Sequence, residues 1–260
     1  MKKKLGLIIS LLLSLVLVGC PPVPSKYTLE VAGGSYVQQT NVGQPETSMG
    51  TNIVVKLRTL QGKLPITNGQ VTFMGPKTWN NGQPIFFSYP AGSSWVSAPQ
   101  AKIPLVVGQY VVRLVIDGEQ LESNFQIIDS NNRLPLTTGT TAYVNENNFQ
   151  KVRVNWLPVM GAIGYYARVL DASINQVVSS TIYTLGNTVE IPVDVLNPSR
   201  AYFVVVVATT LNTVVDNPAI PTVSNSSDSL IALDIALGTR SKIIPMKNLN
   251  QREVYTLKKP

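Results

Sequence analysis

One cysteine, fourteen carboxylates and no histidine make up the reactive inventory of this 260-residue chain. The lone thiol, Cys20, closes a short apolar run and precedes Pro21, Pro22 and Pro24. Such a cysteine can be a reactive nucleophile, half of an intermolecular disulfide, a small buried side chain or a covalently modified position. The lack of histidine removes the commonest general base, the Ser-His-Asp arrangement and most transition-metal sites. Carboxylate-only chemistry stays open in principle, but the acids are scattered and sit beside turn residues, as in Asp117-Gly118-Glu119. The expectation is therefore no catalytic residue, no metal and no cofactor.

The context of Cys20 decides among its roles. Lys2, Lys3 and Lys4 form a basic start, and Leu5 to Val18 is almost wholly apolar. That run suits a secretory signal and is shorter than the ~20 residues a spanning helix needs. It ends in Leu17-Val18-Gly19-Cys20, which resembles the bacterial lipobox. The resemblance implies cleavage before Cys20 and a diacylglyceryl group on its sulfur, which would remove the thiol from redox and nucleophilic chemistry. Two acyl chains make a stable anchor where one does not. The prolines then favour an extended tether. Residue 21 is Pro and not Asp, which within the lipoprotein family favours outer-membrane sorting in a double-membraned cell. The expected location is the bacterial cell envelope, facing the periplasm or the exterior.

Charge narrows the partners. The formal net charge is +7, but Lys2, Lys3 and Lys4 belong to the signal segment. Arg240, Lys242, Lys247, Arg252, Lys258 and Lys259 stand against only Glu253 in the last 23 residues. What remains between Cys20 and Leu237 is nearly neutral, so no basic face is left for nucleic acid. The expected partners are the membrane, through the lipid, and an envelope protein or a glycan.

The elements that must position any site are strands. Long 3.6-residue periodicity is absent, and short alternating runs recur between turn signals, the pattern of β-sandwiches. In the second half these runs are Lys151–Trp156, Tyr165–Leu170, Gln176–Thr184, Thr188–Ile191, Tyr202–Ala208 and Ser229–Ile235. Trp156, Tyr165 and the series Leu196, Pro198, Tyr202, Val204, Val206, Ala208 resemble a fibronectin type III domain. The resemblance implies that Trp156 and Tyr202 fill the space between two sheets, with the Tyr202 hydroxyl tied to backbone as a tyrosine corner. In the first half the strands expected are Thr28–Val31, Asn52–Leu57, Gln70–Phe73, Ile85–Ser88, Val106–Ile116 and Phe125–Ile128. Turns are expected at Gln61-Gly62-Lys63, Asn68-Gly69 and Asp117-Gly118. This half more loosely resembles a bacterial immunoglobulin-like domain. The expected fold is all-β: a signal peptide over 1–19, a lipidated tether over 20–26, an immunoglobulin-like β-sandwich over 27–129, a linker over 130–133, a fibronectin type III-like β-sandwich over 134–237 and a basic tail over 238–260.

Three features are candidate working surfaces, each with a plainer reading beside it. If Tyr202, Val204 and Val206 point inward, then Phe203, Val205 and Val207 point outward beside Tyr166, Arg168 and Leu170. That face is either a partner surface, with Tyr166, Leu170, Phe203, Val205 and Val207 as its apolar contacts, or is covered by the first sandwich or the tail. The stretch 75–96 gathers Trp79, Tyr89 and Trp95 among amide and hydroxyl residues. It reads either as a platform for sugar rings or as a strand and loop with core aromatics. The basic tail is either a contact for anionic lipid or wall polymer, or a solvated end or covering strand.

Overall fold

The computed structural model describes residues 25–44, 48–59, 61, 63–145, 148–194, 196–197, 199–214, 219–233, 235 and 255–256. Cys20 with its signal segment and prolines, Pro198, and the tail apart from Tyr255 and Thr256 lie outside the described residues.

The chain is all-β and builds two sandwiches. The first uses β1 (Tyr27–Gln38), β2 (Ser48–Thr59), β3 (Gly69–Met74), β4 (Ile85–Tyr89), β5 (Trp95–Ser97), β6 (Gly108–Ile116) and β7 (Glu119–Ile127). The second uses β8 (Thr141–Asn145), β9 (Asn148–Asn155), β10 (Gly164–Asp171), β11 (Gln176–Val177), β12 (Ile182–Thr184), β13 (Thr188–Pro192), β14 (Tyr202–Thr209) and β15 (Ser226–Ala232). A last pair of residues, β16 (Tyr255–Thr256), lies antiparallel beside β5.

Both sandwiches follow one plan. In the first, β1-β2-β5 faces β4-β3-β6-β7; in the second, β8-β9-β13 faces a sheet in which β11 and β12 flank β10, followed by β14 and β15. Taking β11 and β12 together as a fourth strand, both halves have a first-second-fifth sheet opposite a fourth-third-sixth-seventh sheet. Local chemistry explains the elements. Strands β4, β6 and β7 alternate inward and outward residues, the period-two signature of a half-buried sheet. The β6–β7 hairpin closes on Asp117 (φ 47°) and Gly118 (φ 79°), two successive left-handed residues as a type I′ turn requires.

One core gathers Ile53, Phe73, Trp79, Tyr89, Tyr110 and Leu114. The other gathers Val152, Val154, Trp156, Tyr165, Tyr202, Val204 and Val206. Trp156 packs against Tyr165 with ring centroids 5.3 Å apart. The Asn197 N–H donates to Tyr202 Oη at 3.1 Å, the corner expected from the sequence. The first sandwich has its own version. Tyr110 Oη donates to the Val106 carbonyl at 2.7 Å and accepts from the Val106 N–H at 3.0 Å.

Two differences from the expected strands matter. Strands β5 and β8 are additional, and β1 runs on from Val31 to Gln38 through Gly33 and Gly34. That extension pairs in parallel with β15, matching Tyr36 with Ser226 and Gln38 with Asp228. A nine-stranded sheet therefore runs without a break from β11 and β12 of the second sandwich to β16 beside the first. Glycine reads as a strand breaker, yet here it permits close approach. A Cβ on Gly34 would stand 2.4 Å from Asn225 Oδ1 and from the Ser224 carbonyl oxygen.

Candidate functional site

The three aromatics expected as a ligand platform are interior residues, with exposures of 1% for Trp79, 0% for Tyr89 and 1% for Trp95. A buried ring offers no face to a sugar, so the platform is corrected to core packing. Trp79 meets Phe73 edge-on at 5.0 Å and Tyr110 at 5.6 Å, and its Nε1–H donates to Thr51 Oγ1 at 3.0 Å. Left-handed Asn80, Asn81 and Gly82 follow it and fold the loop back. Tyr89 shares the inward face of β4 with Ile85 and Phe87. Its hydroxyl accepts from the Leu57 N–H and donates to the Ser93 carbonyl, and burial pushes its pKa up. The Asn-Asn-Gly turn and the period of Ile85-Phe86-Phe87-Ser88-Tyr89 were the signals for both outcomes.

The expected partner face is likewise corrected. Tyr166, Leu170, Phe203, Val205 and Val207 are all buried. Val205, Val207, Tyr166, Leu170 and Leu230 form a cluster of their own, with Val42 and Tyr183 packed against it among the described residues. Strand β14 is thus closed on both faces. The alternation placed these side chains on the outer face; there they pack side by side across β10, β12, β14 and β15, and among the described residues Val42 joins them from the segment between β1 and β2.

Trp95 belongs to the junction between the sandwiches. It joins Val54 of β2 and Leu211 and Ile220 of the loop between β14 and β15. Beside this apolar contact lies a buried polar clamp. Asn52 Nδ2–H donates to the Ser224 carbonyl at 3.0 Å, and Ser97 Oγ–H donates to Asn52 Oδ1 at 2.9 Å. Asn225 Oδ1 accepts from the Ser35 N–H at 2.8 Å, and the Ser224 N–H donates to the Gly33 carbonyl at 3.1 Å. A fully interior Lys56 sits on the same face, 3.5 Å from Glu30 Oε2, and burial draws its pKa down. Sequence reading passed over all of these residues, because no local pattern marks Asn, Ser or Gly as an interface.

A groove of about 910 Å³ opens where β1 leaves β15. Gln39, Gln44, Thr137, Thr141, Tyr143 and Leu230 are among its lining residues, and none of the described ones is charged. The Gln39 side chain caps the free Leu230 N–H at 2.8 Å. The Thr137 N–H donates to Ser229 Oγ, whereas its buried Oγ1 has no hydrogen-bond partner among the described residues. On the opposite flank, burial disfavours the Asp171 carboxylate. The Arg200 guanidinium at 2.9 Å and the Ser173 N–H outweigh that and hold its pKa below the ordinary value. Among the described residues no group of three or more His, Cys, Asp or Glu is placed to hold a metal, and no helix is long and apolar enough to cross a membrane.

The chain enters the first sandwich at one end. Ser25 and the Lys26 N–H bond to Glu119, and Tyr27 donates to Asp117. Asp117 also accepts from Thr67, which with Tyr27 holds its carboxyl below the usual range. In return, the Asp117 hydrogen bond and burial push the Tyr27 phenol up to about 12.

The geometry defines a tandem β-sandwich protein. No protein-family model matches the chain, and no curated protein matches it. Among solved structures it aligns with a two-domain fibronectin type III segment of chicken tenascin. The identity is 11% and the TM-score 0.27, over 75% of this chain and 98% of that one. It also aligns with the BSP domain of a biofilm-associated protein at 15% identity and a TM-score of 0.23, over 82% of this chain and 30% of that one. Scores this low add nothing about activity to what the geometry supports.

Proposed function

We propose that this chain is a lipid-anchored protein of the bacterial cell envelope whose two sandwiches form a stiff, non-catalytic module with a binding, adhesion or structural role. The observation that carries this reading is the shared sheet. Strand β1 begins at the end where the chain arrives from Cys20 and finishes inside the ladder of β15. Orientation set at the tether thus passes to the second sandwich through backbone hydrogen bonds, without relying on a flexible linker. The Leu17-Val18-Gly19-Cys20 sequence supports the anchor, and Pro21 favours the outer membrane where two membranes exist. The scattered acids and absent histidine support the non-catalytic role.

The test is membrane fractionation with mass measurement of the mature N-terminal peptide. The expected peptide begins at Cys20 and carries a diacylglyceryl group, and Cys20→Ala abolishes that modification. Unmodified Cys20 on a soluble protein would refute the anchor. A ligand-binding role has its best seat in the groove between β15 and β8. The orphan Thr137 hydroxyl and an uncharged lining of amides and hydroxyls suit a neutral polar ligand such as a glycan. Binding on a glycan array that survives Thr137→Val unchanged would count against that seat.

A further inference from the structure

We propose that the end of the first sandwich nearest the tether is a second membrane contact, made by Leu64 and Ile66 against the lipid surface. The inference rests on lipid attachment at Cys20. It starts from where the chain enters. Ser25 and Lys26 are pinned beside the β6–β7 turn through Glu119. Only Cys20 to Pro24 separate that point from the acyl chains, and five extended residues reach at most ~18 Å. This end of the sandwich therefore stays close to the headgroups.

The same end presents apolar side chains. Ile66 is 85% exposed and Leu64 is 45% exposed. Their loop is held in place from several sides. The Ile66 and Thr67 N–H groups donate to Asp117, the Gly92 N–H donates to the Pro65 carbonyl at 2.8 Å, and the Ala91 N–H donates to Asn68 Oδ1 at 2.8 Å. Exposed apolar side chains also occur elsewhere, as at Ile128 and Met160; what distinguishes Leu64 and Ile66 is that they share the end at which the chain arrives from Cys20. Lipid is the occupant that the short tether brings within reach.

Charge sets the character of the contact. Lys26, Arg58 and Lys63 lie at this end, but Glu30, Asp117 and Glu119 stand beside them. With the charges nearly balanced, apolar insertion is the main attraction, and surface charge steers it little.

The native thiol is expected to be acylated, so an introduced cysteine is the one free thiol to label. The lipidated mature chain carrying Ile66→Cys, and separately Met160→Cys, is labelled with an environment-sensitive fluorophore. Each is reconstituted into phosphatidylcholine vesicles containing a headgroup-region quencher lipid. Met160 is 89% exposed and sits in the equivalent loop of the second sandwich, ~30 Å further along β1. The expected result is at least three-fold stronger quenching at position 66 than at 160, unchanged between 0.1 and 0.5 M salt. Leu64→Ser should lower the quenching at 66 while the protein still floats with the vesicles. Equal quenching at both positions on floating protein overturns the contact and leaves the anchor standing. Protein that fails to float overturns both.

Discussion

Strands β6 and β14 occupy the same place in the two sandwiches and are buried differently. From their corner tyrosines onward they read Tyr110-Val-Val-Arg-Leu-Val-Ile and Tyr202-Phe-Val-Val-Val-Val-Ala. Arg113, at the position of Val205, is exposed and paired with Glu122, and Val115, at the position of Val207, is 51% exposed. Val205 and Val207 are buried. Alternation marks a strand with one wet face, and a continuous apolar run marks a strand covered on both. The run of valines is thus the local sign of a strand buried on both faces.

The largest test of this contrast places a charge at the two matching positions. Val207→Lys should cost about 4 kcal/mol, because an ammonium is buried without compensation. Val115→Lys should change stability by less than about 0.5 kcal/mol. Chemical denaturation of both variants checks the pair, and equal losses would mean that the outer face of β14 is open in solution.

Next comes the junction that makes the two sandwiches one sheet. Asn225→Ala leaves the buried Ser35 N–H without its acceptor and should cost about 2 kcal/mol. If the clamp couples the halves, calorimetry should change from a single transition to two. A single transition of unchanged shape would show that the β1–β15 ladder couples them without it.

The tyrosine corners offer a finer comparison. Tyr110→Phe removes a hydroxyl that both donates and accepts, at a cost of about 2 kcal/mol. Tyr202→Phe removes one accepted bond, at about 1 kcal/mol. Reversal of that order in denaturant midpoints would mean that the corners are not equivalent supports.

The smallest effect depends on pH at the entry point of the first sandwich. The folded-state pKa of Tyr27 is raised from 10.0 to about 12. Its contribution to stability is therefore complete below pH 10 and is lost as pH rises through the folded value. Asp117, with its pKa lowered from 3.8, acts in the opposite window: its contribution is present above the ordinary value and fades as pH falls through the folded one. Tyr27→Phe should flatten the alkaline limb of the stability curve between pH 10 and 12. An unchanged limb would mean that the hydrogen bond to Asp117 contributes nothing.

Much of the architecture was legible because it is written at short range. Period-two runs gave most strands, Asp117-Gly118 gave a hairpin, and the Leu196-to-Ala208 series gave a tyrosine corner. The candidate sites fared worse. Trp79, Tyr89 and Trp95 share a stretch rich in Asn and Gly, and composition cannot say which way a ring turns. Tyr89 could have been assigned from its spacing to Ile85. Trp95 could not, because its neighbours Val54, Leu211 and Ile220 come from distant segments.

By itself the sequence determined the all-β class, most of the strands and the chemical poverty of the chain, since each depends on residue type and local spacing. It also determined the expectation of an anchor, through a four-residue motif behind an apolar run. Only the tertiary structure decided that β1 outruns its sandwich to join β15, that Gly34 leaves room for Asn225, and that Trp95 meets Leu211 and Ile220. These outcomes depend on groups from distant segments, 190 residues apart for Ser35 and Asn225, meeting at hydrogen-bond and van der Waals distance, and no pattern within one segment encodes such a meeting.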